Sequence, residues 1–139
     1  MLRAPALVWF RRDLRVSDHV ALHRAAELAV PIVPVFIFDD ALLRPSSASS
    51  RRVAFLLSCL ESLSANLQAL GPKLITRRGH PEVELRALLK STGAKHLFFN
   101  KDVEPYARQR DEKVMAMASE EGVEVVACDG SAELSCDEE

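Results

Sequence analysis

The sequence predicts a three-layer α/β/α fold, with a five-stranded parallel sheet covered by helices on both faces. Three observations carry this. Short apolar runs alternate five times with stretches of helical periodicity along the 139 residues. The run Ile32–Phe38 is almost wholly apolar and rich in β-branched and aromatic residues, as in a strand buried on both faces. Strands joined by helical crossovers run parallel, because the helix returns the chain to the edge it left.

Each element has a local reason. Ala6–Phe10 reads as the first strand. A helix follows to about residue 29, with Asp18 as its cap and Val20, Leu22, Ala25, Ala26 and Ala29 as its apolar stripe. Ile32–Phe38 is the second strand, ended by Asp39-Asp40. Residues 45–50, Pro-Ser-Ser-Ala-Ser-Ser, form a loop of turn and cap residues. Residues 51–70 form a long helix in which Val53, Leu56, Leu57, Leu60, Leu63, Leu67 and Leu70 recur at steps of three and four. Gly71-Pro72 stops it. Residues 73–76 are the third strand. Pro81 opens the third helix at the favoured first-turn position, with Glu82 and Glu84 near its positive end. Val83, Leu85, Leu88 and Leu89 give it a buried face, and Gly93 closes it. Residues 96–99, 106–121 and 123–127 complete the series as strand, helix and strand. Residues 1–130 thus read as one domain. Residues 131–139 belong to an acidic tail that reads as disordered.

Composition narrows the function. A hydrophobic fraction of 48% supplies a core, and the net charge of −2 lacks the basic surplus of a domain that binds DNA by itself. No apolar run approaches the roughly 20 residues that span a bilayer, so no membrane is expected. Cys59, Cys128 and Cys136 have no metal-type spacing, and neither do His19, His23, His80 and His96, so no metal is expected. Neither a glycine-rich dinucleotide turn nor a P-loop is present; Arg11, Arg12 and Asp13 stand where such a turn would be. They read as an intradomain ion-pair cluster. Trp9 reads as core rather than as an electron relay. Tyr106 can stack on a ligand or pack inside, and the sequence leaves both open.

Three loops should meet at the carboxyl edge of the sheet: residues 36–39, the helix start at Arg51-Arg52, and residues 100–106. Apolar side chains with a few convergent polar groups suit a small, planar aromatic ligand. Asp102 and Glu104 read either as loop acids that cap the fourth helix or as ligand groups. Arg108, Arg110 and Asp111 read as surface ion pairs.

Two segments carry a resemblance. Leu7-Val8-Trp9-Phe10-Arg11-Arg12-Asp13-Leu14-Arg15-Val16-Ser17-Asp18 resembles the V-W-F-R-x-D-L-R-x-x-D opening of the photolyase/cryptochrome family. Residues 100–111, Asn-Lys-Asp-Val-Glu-Pro-Tyr-Ala-Arg-Gln-Arg-Asp, are similar to the N-x-D-x-E-P-Y-x-R-x-R-D signature of members that hold a flavin or deazaflavin antenna. Arg51-Arg52-Val53-Ala54-Phe55-Leu56 also resembles the family's R-x-x-F-L opening of the second helix. The likeness covers about residues 6–130. It implies a Rossmann-like domain that binds a light-harvesting chromophore, with Ile37, Phe38, Asp39, Arg52, Asp102 and Glu104 at antenna-pocket positions. FMN or 8-hydroxydeazaflavin is the implied ligand. Tyr106-Ala107, where folate-binding members carry Asn-Glu, argues against folate.

The resemblance also implies that FAD belongs to a second, helical domain outside these residues, met in cis or in trans. Reduced FAD there donates an electron to a pyrimidine dimer, so DNA is a partner only of the full-length protein. Neither catalytic residues nor turnover is expected of this chain alone. The implied compartment is the cytoplasm, or the nucleus or an organelle in a eukaryote. Two other readings remain: a stand-alone interaction or signalling module that kept the fold without a chromophore, and a nucleotide-binding domain holding phosphate at a helix N-terminus.

Overall fold

The computed structural model describes residues 4–11, 14, 16, 19–38, 50–101 and 105–128, with the backbone alone for 50–53 and 105–107. Among them the order is β1 (Ala6–Phe10), α1 (Val20–Glu27), β2 (Ile32–Phe38), α2 (Ser50–Leu70), β3 (Ile75–Arg78), α3 (Pro81–Thr92), β4 (His96–Asn100), α4 (Pro105–Glu120) and β5 (Glu124–Cys128). The strands form one parallel sheet in the order β3-β2-β1-β4-β5. This is the predicted Rossmann-like fold. β1 is central, with Ala6 opposite both Ile32 of β2 and His96 of β4.

Side-chain alternation along the strands builds two cores. Leu7, Trp9, Val35, Leu97 and Phe99 face α3 and α4, where Leu85, Leu88, Val114 and Met117 meet them. Ala6, Val8, Phe10 and Phe98 face α1 and α2, where Ala21, Leu22, Leu63 and Leu67 meet them. The split of helices between faces follows from the right-handed crossover rule. The chain first steps from β1 through β2 to β3 in one direction, then returns to β4 and β5 in the other. Keeping one hand therefore puts α1 and α2 on one face and α3 and α4 on the opposite one. Pro34 is tolerated inside β2 because pairing with β3 begins only at Val35↔Ile75.

Several local expectations are corrected. The cap of α1 is His19, whose Nδ1 accepts the Leu22 N–H at 3.0 Å; Asp18 lies outside the described residues. Ala26 and Ala29 are exposed: Ala26 sits 100° round the helix from Ala25, and Ala29 lies beyond the helix end. Leu60, Leu63 and Leu67 of α2 are buried, but Leu57 and Leu70 are exposed. A 21-residue helix is about 31 Å long, whereas the seven-residue strand before it spans about 23 Å, so α2 outruns the sheet. Val83 is exposed because it lies two residues, or 200°, from Leu85 on α3. β3 starts at Ile75 rather than residue 73, and its two arginines are accommodated because it is an edge strand.

Ala29 takes a left-handed backbone with φ of 55°, and its N–H bonds the Ala26 carbonyl at 3.1 Å. A Cβ is strained there, and glycine is the usual occupant. Ala29→Gly should therefore stabilise the domain by about 0.5 kcal/mol, the relief of strain exceeding the added entropy of the unfolded chain. A higher urea midpoint at unchanged slope is the expected readout.

Candidate functional site

In open parallel sheets ligands bind outside the carboxyl ends of the strands, near the point where strand order reverses. Here that point lies between β1 and β4. Two polar clusters stand beside it, one on each face of the sheet.

On the α3/α4 face stands Arg11, directly after β1 and only 7% exposed. Trp9 and Arg11 point the same way along the strand, so the guanidinium comes to rest over the indole. Its Cζ lies 4.8 Å from the Trp9 ring centre and 5.2 Å from that of Phe99, and the two rings meet edge to face at 5.3 Å. Arg11 Nη1 reaches Asp111 Oδ1 of α4 at 3.1 Å. The Cζ of Arg110 also lies over Trp9, at 5.6 Å. A planar, weakly hydrated cation suits this place, since aromatic faces cover it while its edge meets a carboxylate.

Asp111 is thus not part of a surface pair, as the sequence implied, but a buried partner of β1. A signal for this was present. Asp111, Val114, Met117 and Ala118 fall on one helical stripe, so the carboxylate occupies a core position. Arg12 and Asp13 lie outside the described residues.

On the α1/α2 face, Asn100 ends β4 and is 9% exposed. Its Oδ1 accepts the Ala21 N–H at 3.1 Å, and its Nδ2 lies 3.4 Å from His19 Nε2. The His19 ring packs on Phe10 at 4.6 Å. The helix-terminal N–H groups of Ala21 and Leu22 therefore go to Asn100 and His19, which counts against phosphate held at the N-terminus of α1.

Toward β2 and β3 the same edge carries the strand ends Phe38 and Arg78. Phe38 is half-buried there and meets Phe36 edge to face at 5.0 Å. Ile37, 4% exposed, points into the α3/α4 core and so acts as a floor rather than a wall. Arg77 and Arg78, both exposed, pair in register with Ile37 and Phe38 and bring two cations to the same edge. Neither arginine is among the pocket positions that the sequence implies. Their position as the last two residues of a strand was the available signal. Arg52 belongs to the first turn of α2, with backbone alone described. Asp39, Asp102 and Glu104 lie outside the described residues. Of the six proposed pocket residues, the structure therefore brings Ile37 and Phe38 to one strand end and gives no side-chain geometry for the other four. Among the described residues no three His, Cys, Asp or Glu side chains converge as metal ligands, and no helix is long and apolar enough to cross a membrane.

A parallel sheet wound in both directions from β1, with Arg11–Asp111 and His19–Asn100 at its reversal point, defines a Rossmann-like domain. Comparison with known proteins places it further. The family model of DNA photolyase matches residues 6–138, and the chain belongs to that family. It is 34% identical over 125 residues to the deoxyribodipyrimidine photo-lyase of a Synechococcus strain, covering 90% of this chain and 26% of that protein. The cryptochrome of Synechocystis superposes with a TM-score of 0.83 at 28% identity, over 91% of this chain and 28% of the other. An archaeal photolyase from Sulfolobus tokodaii, solved with two FAD molecules and described as implying a novel light-harvesting cofactor, gives 0.82 at 29% identity. That match covers 89% of this chain and 29% of the archaeal one. The chain thus corresponds to the N-terminal α/β domain of photolyases and cryptochromes and spans about a quarter of their length.

Proposed function

We propose that this chain is the antenna-binding domain of a photolyase- or cryptochrome-type flavoprotein, and that its ligand is a flavin or deazaflavin ring. The observation that carries the reading is the family match over residues 6–138 on a sheet whose carboxyl edge carries Phe38, Arg77 and Arg78. A half-buried aromatic beside two cations fits a planar ring with a polar or anionic rim. Such a chromophore, when bound, absorbs near-UV or blue light and passes the excitation on.

The chain's own work is to bind, orient and exclude water. Ile37 and Phe38 supply the apolar floor and side. Asp39, Arg52, Asp102 and Glu104 supply the polar contacts at the ring edge. A rigid support matters because energy transfer depends on the direction of the transition dipole, which the protein must fix. FAD chemistry and contact with DNA belong to the helical domain of the full-length protein.

Titration of the purified chain with FMN, a deazaflavin and a reduced folate tests this by absorbance and fluorescence. Saturable binding of the flavin-type rings, with folate much weaker, is the expected result. Asp102→Ala combined with Glu104→Ala should weaken FMN binding by about ten-fold while leaving the melting temperature nearly unchanged. A folded chain that binds none of the three rings would leave the interaction-module reading instead.

A further inference from the structure

We infer that Arg11 and Arg110 hold the electron on Trp9: two guanidinium cations over one indole make it harder to oxidise, so that excitation of a flavin-type ring at the neighbouring strand ends is not lost to electron transfer from the indole. The inference rests on the antenna reading for its ligand, but the guarding of the indole stands apart from it.

An excited flavin-type ring is a strong one-electron oxidant. An indole gives up an electron far more readily than the phenyl rings around it, and Trp9 is the only tryptophan of the chain. It lies close to the proposed pocket. Trp9 pairs in register with Val35 of β2, and Ile37 and Phe38 follow on the same strand. Strand rise and spacing put their Cα atoms roughly 8 and 11 Å from that of Trp9. Ile37 also shares the α3/α4 core with the indole. Electron tunnelling over such a gap competes with emission. The step would take one electron from the indole, leave an indole radical cation, and waste the absorbed light as heat when the electron returns. An antenna domain with Trp9 at this place therefore needs a device against it.

The surroundings of the indole supply one. Arg11 Cζ lies 4.8 Å from the ring centre and Arg110 Cζ 5.6 Å. Both cations favour the neutral ring through its quadrupole, and both repel the positive charge that oxidation would create. Asp111 offsets part of the Arg11 charge, at 3.1 Å from its Nη1. Arg110 brings a second cation to the same ring. Burial strengthens the effect: Trp9 is 2% and Arg11 7% exposed, so little water screens the charge. Packing alone does not call for charge at this place, since apolar residues of like size would fill the same space.

The test replaces the half-buried Arg110 by methionine and uses Arg108→Met, at an exposed cation of the same helix, as the control for surface charge. In the ligand-free chain, formation of the indole radical by a photogenerated ruthenium(III) tris-bipyridine oxidant is followed by transient absorption. Arg110→Met should speed it about ten-fold, and Arg108→Met by less than about two-fold. With FMN bound and excited in its visible band, which indole does not absorb, the excited-state lifetime in the wild-type chain should equal that in Trp9→Phe. Arg110→Met should shorten it by at least about three-fold, and adding Trp9→Phe should restore it. Arg110→Gln takes the place of Arg110→Met if the latter does not fold. An oxidation rate unchanged by the loss of Arg110, or raised as much by the loss of Arg108, overturns the inference. So does an FMN lifetime that Arg110→Met leaves unchanged, a shortening that persists without Trp9, or a lifetime that Trp9→Phe alone lengthens. If the wild-type chain binds no FMN, the antenna reading fails, and the ruthenium rates alone decide whether the cations guard the indole.

Discussion

Trp9→Ala should cost the domain about 4 kcal/mol of unfolding free energy, in the upper part of the usual range for losing a buried large aromatic. The indole is 2% exposed in the central strand, and it is the only tryptophan of the chain. Three losses combine in the variant. The transfer energy of the ring is lost and a cavity opens under α4. The edge-to-face contact with Phe99 at 5.3 Å disappears. The face on which Arg11 and Arg110 rest is removed as well, at 4.8 and 5.6 Å from their centres. A desolvated cation over an indole contributes up to about 2 kcal/mol, and Arg11 is desolvated. Natural domains hold roughly 5–15 kcal/mol in reserve, so the variant should melt about 14 °C lower and stand near the edge of folding. Trp9→Phe keeps a ring face and should recover most of the loss. Val83→Ala, at a residue 56% exposed, serves as the neutral control. Because the substitution removes the intrinsic fluorophore, the unfolding is followed by far-UV circular dichroism. A loss below about 1 kcal/mol would show that the indole is not the keystone of that core.

The contrast between Trp9 and Val83 shows what kind of information the sequence held. Elements buried on both faces were readable to the residue: Ala6–Phe10 and Ile32–Phe38 stand as expected, because a continuous apolar run ended by charge admits one interpretation. The same holds for α3, where Pro81 and Gly93 mark both ends by backbone geometry alone, Gly93 taking φ of 72°. Amphipathic stretches were over-read. Leucines along α2 recur at helical steps, yet burial requires something opposite them, and the sheet does not extend under Leu57 or Leu70. That limit is set by the lengths of two elements together and is invisible in either.

The polar residues of the site were under-read for the opposite reason. Arg11 and Asp111, or Asn100 and Ala21, meet only after the sheet has brought chain segments about 80 to 100 residues apart side by side. No local period records such a meeting. The one trace was an acid on the apolar stripe of α4, which periodicity alone would mark as misplaced. The strand ends that carry Ile37 and Phe38 were legible because strand polarity fixes which edge faces ligands.

Arg11→Met alone is expected to destabilise the domain by about 3–5 kcal/mol, although methionine matches much of the lost volume. The reason lies in the residue left behind. Asp111, with its side chain 10% exposed, would keep a carboxylate in a desolvated site but lose the guanidinium 3.1 Å away. Adding Asp111→Leu removes that buried carboxylate and should return most of the stability, leaving the double variant within about 1 kcal/mol of wild type. The substitutions form a double-mutant cycle; with each single loss at about 3–5 kcal/mol and the double variant within about 1 of wild type, a coupling of at least about 5 kcal/mol is expected from urea unfolding of all four proteins. Arg11→Lys separates charge from shape. It retains a cation for Asp111 but loses the planar face that rests against Trp9 and Phe99, so it should fall between wild type and Arg11→Met. Additive single losses would mean that Arg11 and Asp111 are buried independently, and the ion pair would then not be what ties α4 to the end of β1.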